Sequence, residues 1–253
     1  MKIIISPAKK MKDDWDSLLW RDLPEFLDKA EVLRDYLRLL SYKELKKLLA
    51  CNDQIAELNF RRFQTMDLCR GLTPALLAYE GIQYRYMSPG VFTAGQYEYV
   101  QAHLRILSGF YGLLRPFDGV TPYRLEMQAR LKTGFCDSLY GYWGPALAEA
   151  LLAEGEDTVL NLASEEYARA VRPYVPGHVR FITPVFGELS GGRVVEKGVY
   201  VKMARGEMVR FLSERQAQGP EAVLEFQGLG YRYDPDRSGR DMPVFLKEGK
   251  PNG

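Results

Sequence analysis

Glu126 stands two residues after Arg124 in the run PYRLEM at 122–127. A carboxylate beside a guanidinium can serve as a general acid or base, or it can be no more than the arginine's ion-pair partner. Arg124 follows Tyr123 directly and Arg115 directly precedes Pro116, so both guanidinium groups have stiff neighbours and suit phosphate or carboxylate. Ser6 and Lys9 come just after the apolar run Lys2 to Ile5, and Asn161 and Ser164 repeat that placement at the end of the run that starts at Thr158. In sheets flanked by helices, the carboxyl ends of strands are where ligands gather, although a serine and a lysine there can also be a turn and a solvated charge. A fourth group, Lys202, Arg205 and Arg210, lies within KMARGEMVRFLSER at 202–215. On a helical wheel these cations, with Gly206, fall opposite the apolar arc of Ala204, Met208, Phe211 and Leu212.

The elements that must position these groups follow from pattern. Lys2 to Ile5 is a short β-branched run stopped by Pro7, the signature of a buried strand, and Thr158 to Leu162 reads the same way. Residues 107–127, LSGFYGLLRPFDGVTPYRLEM, have no helical or strand period. Their glycines and prolines fix an unusual backbone path and their aromatic rings can bury it, which predicts an ordered, irregular segment presenting charged groups. The alternative is an arginine-braced loop within the core. Gly206 costs a helix about 1 kcal/mol relative to alanine; it is either tolerated on a solvated face or marks a close approach to the backbone. Apolar spacing predicts helices over 22–40, 73–80 and 96–107, and Pro145 is placed to begin a helix running to about Ala153.

Ser41 and Glu44 form an S-x-x-E capping box that opens a helix ending near Cys51, and a second helix begins at Asp53. The pair, 41–64, is a helix-hairpin-helix candidate with Lys43, Lys46 and Lys47 on its first helix. Such a hairpin can hold a phosphate on the backbone N–H groups that start its second helix. The hairpin glycines are missing, however, and Asp53 would repel an anion there. Downstream, 179–186 reads as a strand, Ser190-Gly191-Gly192 as a hairpin turn, and 193–201, 223–226, 230–233 and 243–247 as further strands. The final KEGKPNG reads as loose. The whole predicts one α/β (mixed α+β) domain over 1–253, a mixed sheet surrounded by helices.

Thirty-four basic residues balance 33 acidic ones, so any polyanion must be held by a local patch. The three cysteines, Cys51, Cys69 and Cys136, are dispersed and never form CxxC, which points to a reducing, cytoplasmic setting. No run approaches the roughly 18 apolar residues of a membrane span, so no membrane partner is expected. With two histidines, His103 and His178, and no clustered cysteines, the usual ligand sets for iron are absent; no direct metal site and no cofactor are expected.

Ser6-Pro7-Ala8-Lys9, LSGFYGLLRPFD, PYRLEM, LYGYWG at 139–144, NLASEEY at 161–167, KMARGEMVRF and Gly230-Tyr231 occur in an order and spacing that resemble the YaaA family of bacterial peroxide-stress proteins. The resemblance covers essentially the full chain. It implies a family-specific mixed α/β fold, a positively charged cleft, a helix-hairpin-helix element at 41–64, binding to double-stranded DNA, and protection against peroxide damage with lowered free intracellular iron. It also implies that Ser6, Lys9, Arg115, Tyr123, Arg124, Glu126, Asn161, Ser164, Lys202, Arg205 and Arg210 surround one cleft. Two function classes follow. In the first, Lys9, Arg115, Arg124, Lys202, Arg205 and Arg210, with Lys43, Lys46 and Lys47, neutralise the phosphates of duplex DNA with weak sequence preference. In the second, Glu126, Ser6, Lys9, Asn161 and Ser164 serve an enzyme acting on a nucleobase, nucleotide or other phosphorylated substrate.

Overall fold

Ile3, Ile4 and Ile5 are fully buried in the strand β1 (Lys2–Ile5), the centre of a five-stranded sheet. The computed structural model that places them describes residues 1–247, so most of the carboxyl-terminal KEGKPNG lies outside the described residues. The other strands are β2 (Leu104–Ser108), β3 (Gly112–Leu114), β4 (Thr158–Leu162) and β5 (Arg180–Ile182), in the spatial order β3-β2-β1-β4-β5. β1 runs parallel to both β2 and β4, with Ile4 opposite Arg105 and Asn161, and only β3 is antiparallel to its neighbour. A strand covered on both faces reads as a continuous apolar run, and KIII is such a run. A second, four-stranded sheet follows: β6 (Val185–Ser190), β7 (Arg193–Val195), β8 (Tyr231–Gly239) and β9 (Met242–Lys247), ordered β7-β6-β9-β8. Gly191 and Gly192, both at positive φ, make the β6–β7 turn as expected.

The helices that matter for the site are α1 (Leu27–Leu39), α2 (Tyr42–Leu49), α3 (Asp53–Thr65), α4 (Ile82–Met87), α5 (Ala94–His103) and α6 (Gly198–Glu214). The capping box forms: the Ser41 side chain accepts from the Glu44 N–H while the Glu44 carboxylate accepts from the Ser41 N–H. Among the described residues no helix is long and apolar enough to cross a membrane.

Five expectations change, the first being that 193–201, expected as strand, is extended only to Val195 and enters α6 at Gly198. Residues 104–108 are a central strand and not the end of a helix; α5 stops at His103 and the chain passes into β2 without a turn. The 73–80 helix is reduced to Ala75–Ala78 between two-residue ladders, and 220–225 is a 3-10 helix where a strand was expected at 223–226. Residues 179–186 contribute to two sheets, because the chain leaves β5 at Ile182 and enters β6 at Val185.

The irregular segment is ordered, as its composition implies. Ser108 Oγ accepts N–H bonds from Phe110 (3.1 Å) and Tyr111 (2.8 Å) and lies 2.5 Å from the Tyr123 hydroxyl, which in turn lies 2.8 Å from that of Tyr79. A Cβ on Gly109 would sit 2.5 Å from the Leu125 carbonyl oxygen, so only glycine lets these two backbones touch. This contact delivers Arg124 and Glu126 to the carboxyl end of the sheet.

Candidate functional site

Two loops leave the sheet side by side at the carboxyl ends of β1 and β4. Ser6 Oγ accepts the Ser164 N–H at 2.8 Å and lies 3.1 Å from Ser164 Oγ. Ser164 occupies the N-cap position of a short helix, Glu165–Ala168, but its hydroxyl is engaged with Ser6 and makes no cap bond. Behind this pair the Tyr84 hydroxyl donates to the Ser6 carbonyl at 3.0 Å, and Gln83 Nε2 donates to the Leu162 carbonyl at 3.1 Å, tying α4 to both strand ends.

These elements enclose a cavity of about 410 Å³, within the size range of small-molecule sites. Ser6, Lys9, Tyr123, Arg124, Glu126, Ser164, Lys202 and Arg205 all line it. Glu126 is held from both sides: Arg124 Nη2 donates to Oε1 at 2.8 Å and Lys9 Nζ lies 3.0 Å from Oε2. The opposite wall comes from α6, which presents Lys202 and Arg205, one helical turn apart. Gly206 next to them is buried, and its Cβ position is 2.1 Å from the Gln83 carbonyl oxygen; the close approach suggested by this glycine is the crossing of α6 over α4.

The charges on the two walls differ in kind. Arg124 and Lys9 share Glu126, whereas neither Lys202 nor Arg205 has an ion pair among the described residues. The Nε atoms of Arg124 and Arg205 are shut off from solvent with no hydrogen-bond partner. Burial pulls Arg205 down from the usual guanidinium value, opposed only by the charge of Glu196. Burial also pushes the Glu166 carboxyl up, although its Oε1 accepts the Gln128 N–H; the neighbouring Glu126 adds to the rise and Lys9 counters it.

Three residues expected at this cleft lie elsewhere. Arg115 is exposed at the opposite end of the sheet, just past the Ile106–Leu114 pair, where its backbone N–H donates to Asp118. A strand-end motif does not reveal which end of the sheet it will reach, and β3 runs antiparallel, carrying Arg115 away. Asn161 is buried within β4, accepting the Ala163 N–H and donating to Thr183, so its polar atoms are consumed by the chain turn. Arg210 pairs with Glu214 at 2.8 Å and does not line the cavity; the expected stripe splits because α6 is buried on more than one face.

At the hairpin, α2 and α3 are joined through Ala50 in the left-handed region. The start of α3 is already satisfied: Asn52 Oδ1 accepts the Ile55 N–H, and Asp53 accepts from Lys46 and Tyr42, both at 2.7 Å. Lys46 is therefore committed to Asp53, and Lys43 is exposed. Lys47 alone of the three lysines lines a groove of about 850 Å³ between α2 and 128–132, along with Arg130 and Lys132. Glu126 lines both this groove and the cavity, so the two meet there.

Gln83, Tyr84, Glu166 and Tyr167 line the cavity without having been singled out from sequence. Glu166 and Tyr167 lie in the NLASEEY run, where strand-end placement selects only Asn161 and Ser164; Tyr84 belongs to a helix too short to show a period.

The peroxide stress protein YaaA family model matches residues 1–237. A UPF0246 protein of Desulfitobacterium hafniense (strain Y51) is 55% identical over 247 residues, covering 98% of both chains. UPF0246 proteins of Agathobacter rectalis and Lactiplantibacillus plantarum are 49% and 48% identical, over 98% and 97% of this chain and 99% of each of theirs.

Proposed function

Because this chain belongs to the peroxide stress protein YaaA family, which supports a role in peroxide stress, we propose that it serves that role by holding double-stranded DNA along the groove beside the helical hairpin. Lowered free iron then follows indirectly. The observation that carries this reading is the concentration of charge. Lys47, Arg130 and Lys132 line the groove and Lys9, Lys10, Arg124, Lys202 and Arg205 the cavity that adjoins it, against four glutamates. The chain as a whole has 34 basic and 33 acidic residues, so this surface collects an excess that the rest of the molecule lacks. Contacts of this kind bind phosphates and carry little sequence information.

The test is the salt dependence of duplex binding. Each phosphate contact contributes about 0.9 to the slope of log affinity against log salt. Lys47→Ala and Arg130→Ala are each expected to flatten the slope by about that amount and to weaken unrelated duplexes equally. Arg115→Ala and Arg210→Ala, both outside the groove, are expected to leave it unchanged. A slope that responds to Arg115 or Arg210 and ignores Lys47 and Arg130 would remove the groove from the DNA site.

A further inference from the structure

The charges of the cavity are unequally spent. Glu126 is satisfied by Arg124 and Lys9, leaving Lys202 and Arg205 as two cations on α6 with no ion pair among the described residues. A half-buried guanidinium without an ion pair is costly to keep in a folded protein. Its Nε, and that of Arg124 across the cavity, are donors cut off from water and from any acceptor. Such orphaned donors mark a place where the chain has not supplied its own acceptors. Two uncommitted positive charges match a phosphomonoester, which carries about −1.5 to −2 near pH 7; a phosphodiester within a DNA strand carries only one negative charge.

The remaining walls indicate what the phosphate is attached to. Tyr84, Tyr167 and Ile82 supply apolar and aromatic surface, while Ser6, Ser164 and Glu166 supply hydroxyl and carboxyl groups between them. Aromatic walls with a few convergent polar groups suit a flat heterocycle bearing hydrogen-bonding edges. We propose that the cavity binds the phosphomonoester of a nucleoside, with Arg205 and Lys202 on the phosphate and the tyrosine wall against the base. This goes beyond the DNA groove and does not depend on it. The same chemistry can come from a free mononucleotide or from the 5′-phosphorylated end of a strand.

The test uses the full chain, with calorimetric titration of adenosine 5′-monophosphate, thymidine 5′-monophosphate, adenosine and inorganic phosphate. A 5′-phosphorylated oligonucleotide and its 5′-hydroxyl counterpart are compared in parallel. At least one phosphomonoester, free or at the strand end, is expected to bind tenfold or more tightly than its counterpart without phosphate. Preference for the free nucleotides identifies the source as a small molecule, and preference for the phosphorylated end identifies it as a strand terminus. Arg205→Met and Lys202→Met are each expected to lose that discrimination, which Arg115→Ala, at the other end of the sheet, is expected to keep. Arg205→Met is also expected to melt no lower than wild type in phosphate-free buffer, because it removes a cation that has no ion pair among the described residues. Lys202 is exposed and unpaired, so its variant tests the site even if Arg205→Met folds poorly. Equal binding with and without phosphate in both arms, or discrimination retained in Lys202→Met, overturns the proposal and leaves the DNA reading standing.

Discussion

Replacing Gly206 by alanine tests whether the α6–α4 crossing sets the cavity wall. An alanine Cβ would lie 2.1 Å from the Gln83 carbonyl oxygen and 3.0 Å from both the Gln83 carbonyl carbon and the Met87 nitrogen. All three are backbone atoms, so no side chain can swing aside and α4 must move as a body. Overpacking typically costs about 1–3 kcal/mol, and a clash this deep belongs at the upper end. Alanine returns about 1 kcal/mol through its helix propensity. The expected net loss is about 2 kcal/mol, which for a chain of this size lowers the melting temperature by about 4–8 °C. Differential scanning calorimetry of the two proteins measures it. Gly95→Ala in α5 is the control, since the nearest atom to its Cβ is the Gln216 amide at 4.0 Å and propensity alone should hold or raise the melting temperature. If Gly206→Ala melts at or above wild type, the two helices do not meet backbone to backbone at this glycine and the reasoning fails.

Glu126→Gln removes the charge shared by Arg124 and Lys9. It is expected to hold duplex DNA as tightly as wild type or more so, with peroxide survival unchanged in cells that carry it. Survival that drops while affinity is kept would instead mark Glu126 as a working acid or base. Asp118 is 2% exposed, and burial pushes its carboxyl up to about 7, against a backbone N–H bond from Arg115 that lowers it. The folded state then binds the proton more tightly than the unfolded chain, so wild type loses stability as pH rises from about 4 to about 7. Three units at about 1.4 kcal/mol each set a ceiling of about 4 kcal/mol. Asp118→Asn is therefore expected to match wild type near pH 4 and to melt higher at pH 8; equal melting temperatures across that range would contradict it.

What sequence made legible was local. KIII and TVLNL announce buried strands by composition, the Ser41–Glu44 box closes as its spacing requires, and Gly191-Gly192 turn where two positive φ angles are needed. β2 was hidden because Val100, Leu104 and Leu107 keep helical spacing across a boundary with no turn residue. Only pairing with β1 decides that Leu104 onward is extended, and that partner is about 100 residues away in the chain, where tertiary context outweighs propensity. The cavity was legible in part for the same reason. Strand-end position found Ser6 and Ser164, and an arginine–carboxylate pair found Arg124 and Glu126. No local signal separates Arg115 from Arg124, though the chain carries them to opposite ends of one sheet.

The topology explains why the cavity is at that end. The chain leaves β1 for β2 on one side and later returns to β4 on the other, so the loops after β1 and β4 depart in opposite directions and leave a crevice between them. Ligands of open α/β sheets bind at such switch points, outside the carboxyl ends of the strands. At the amino end, Lys2 lies 2.9 Å from Glu154 and 3.0 Å from Glu156, and Arg105 pairs with Glu154, so the buried cations there have carboxylates of their own. At the carboxyl end, Arg205 and Lys202 have none among the described residues. Two ends of one sheet, built from the same strands, thus differ in that one has its charges closed by the chain itself. The uncompensated end is where an outside anion would stabilise the fold, and a ligand that binds only the folded state should raise its melting temperature in proportion to occupancy.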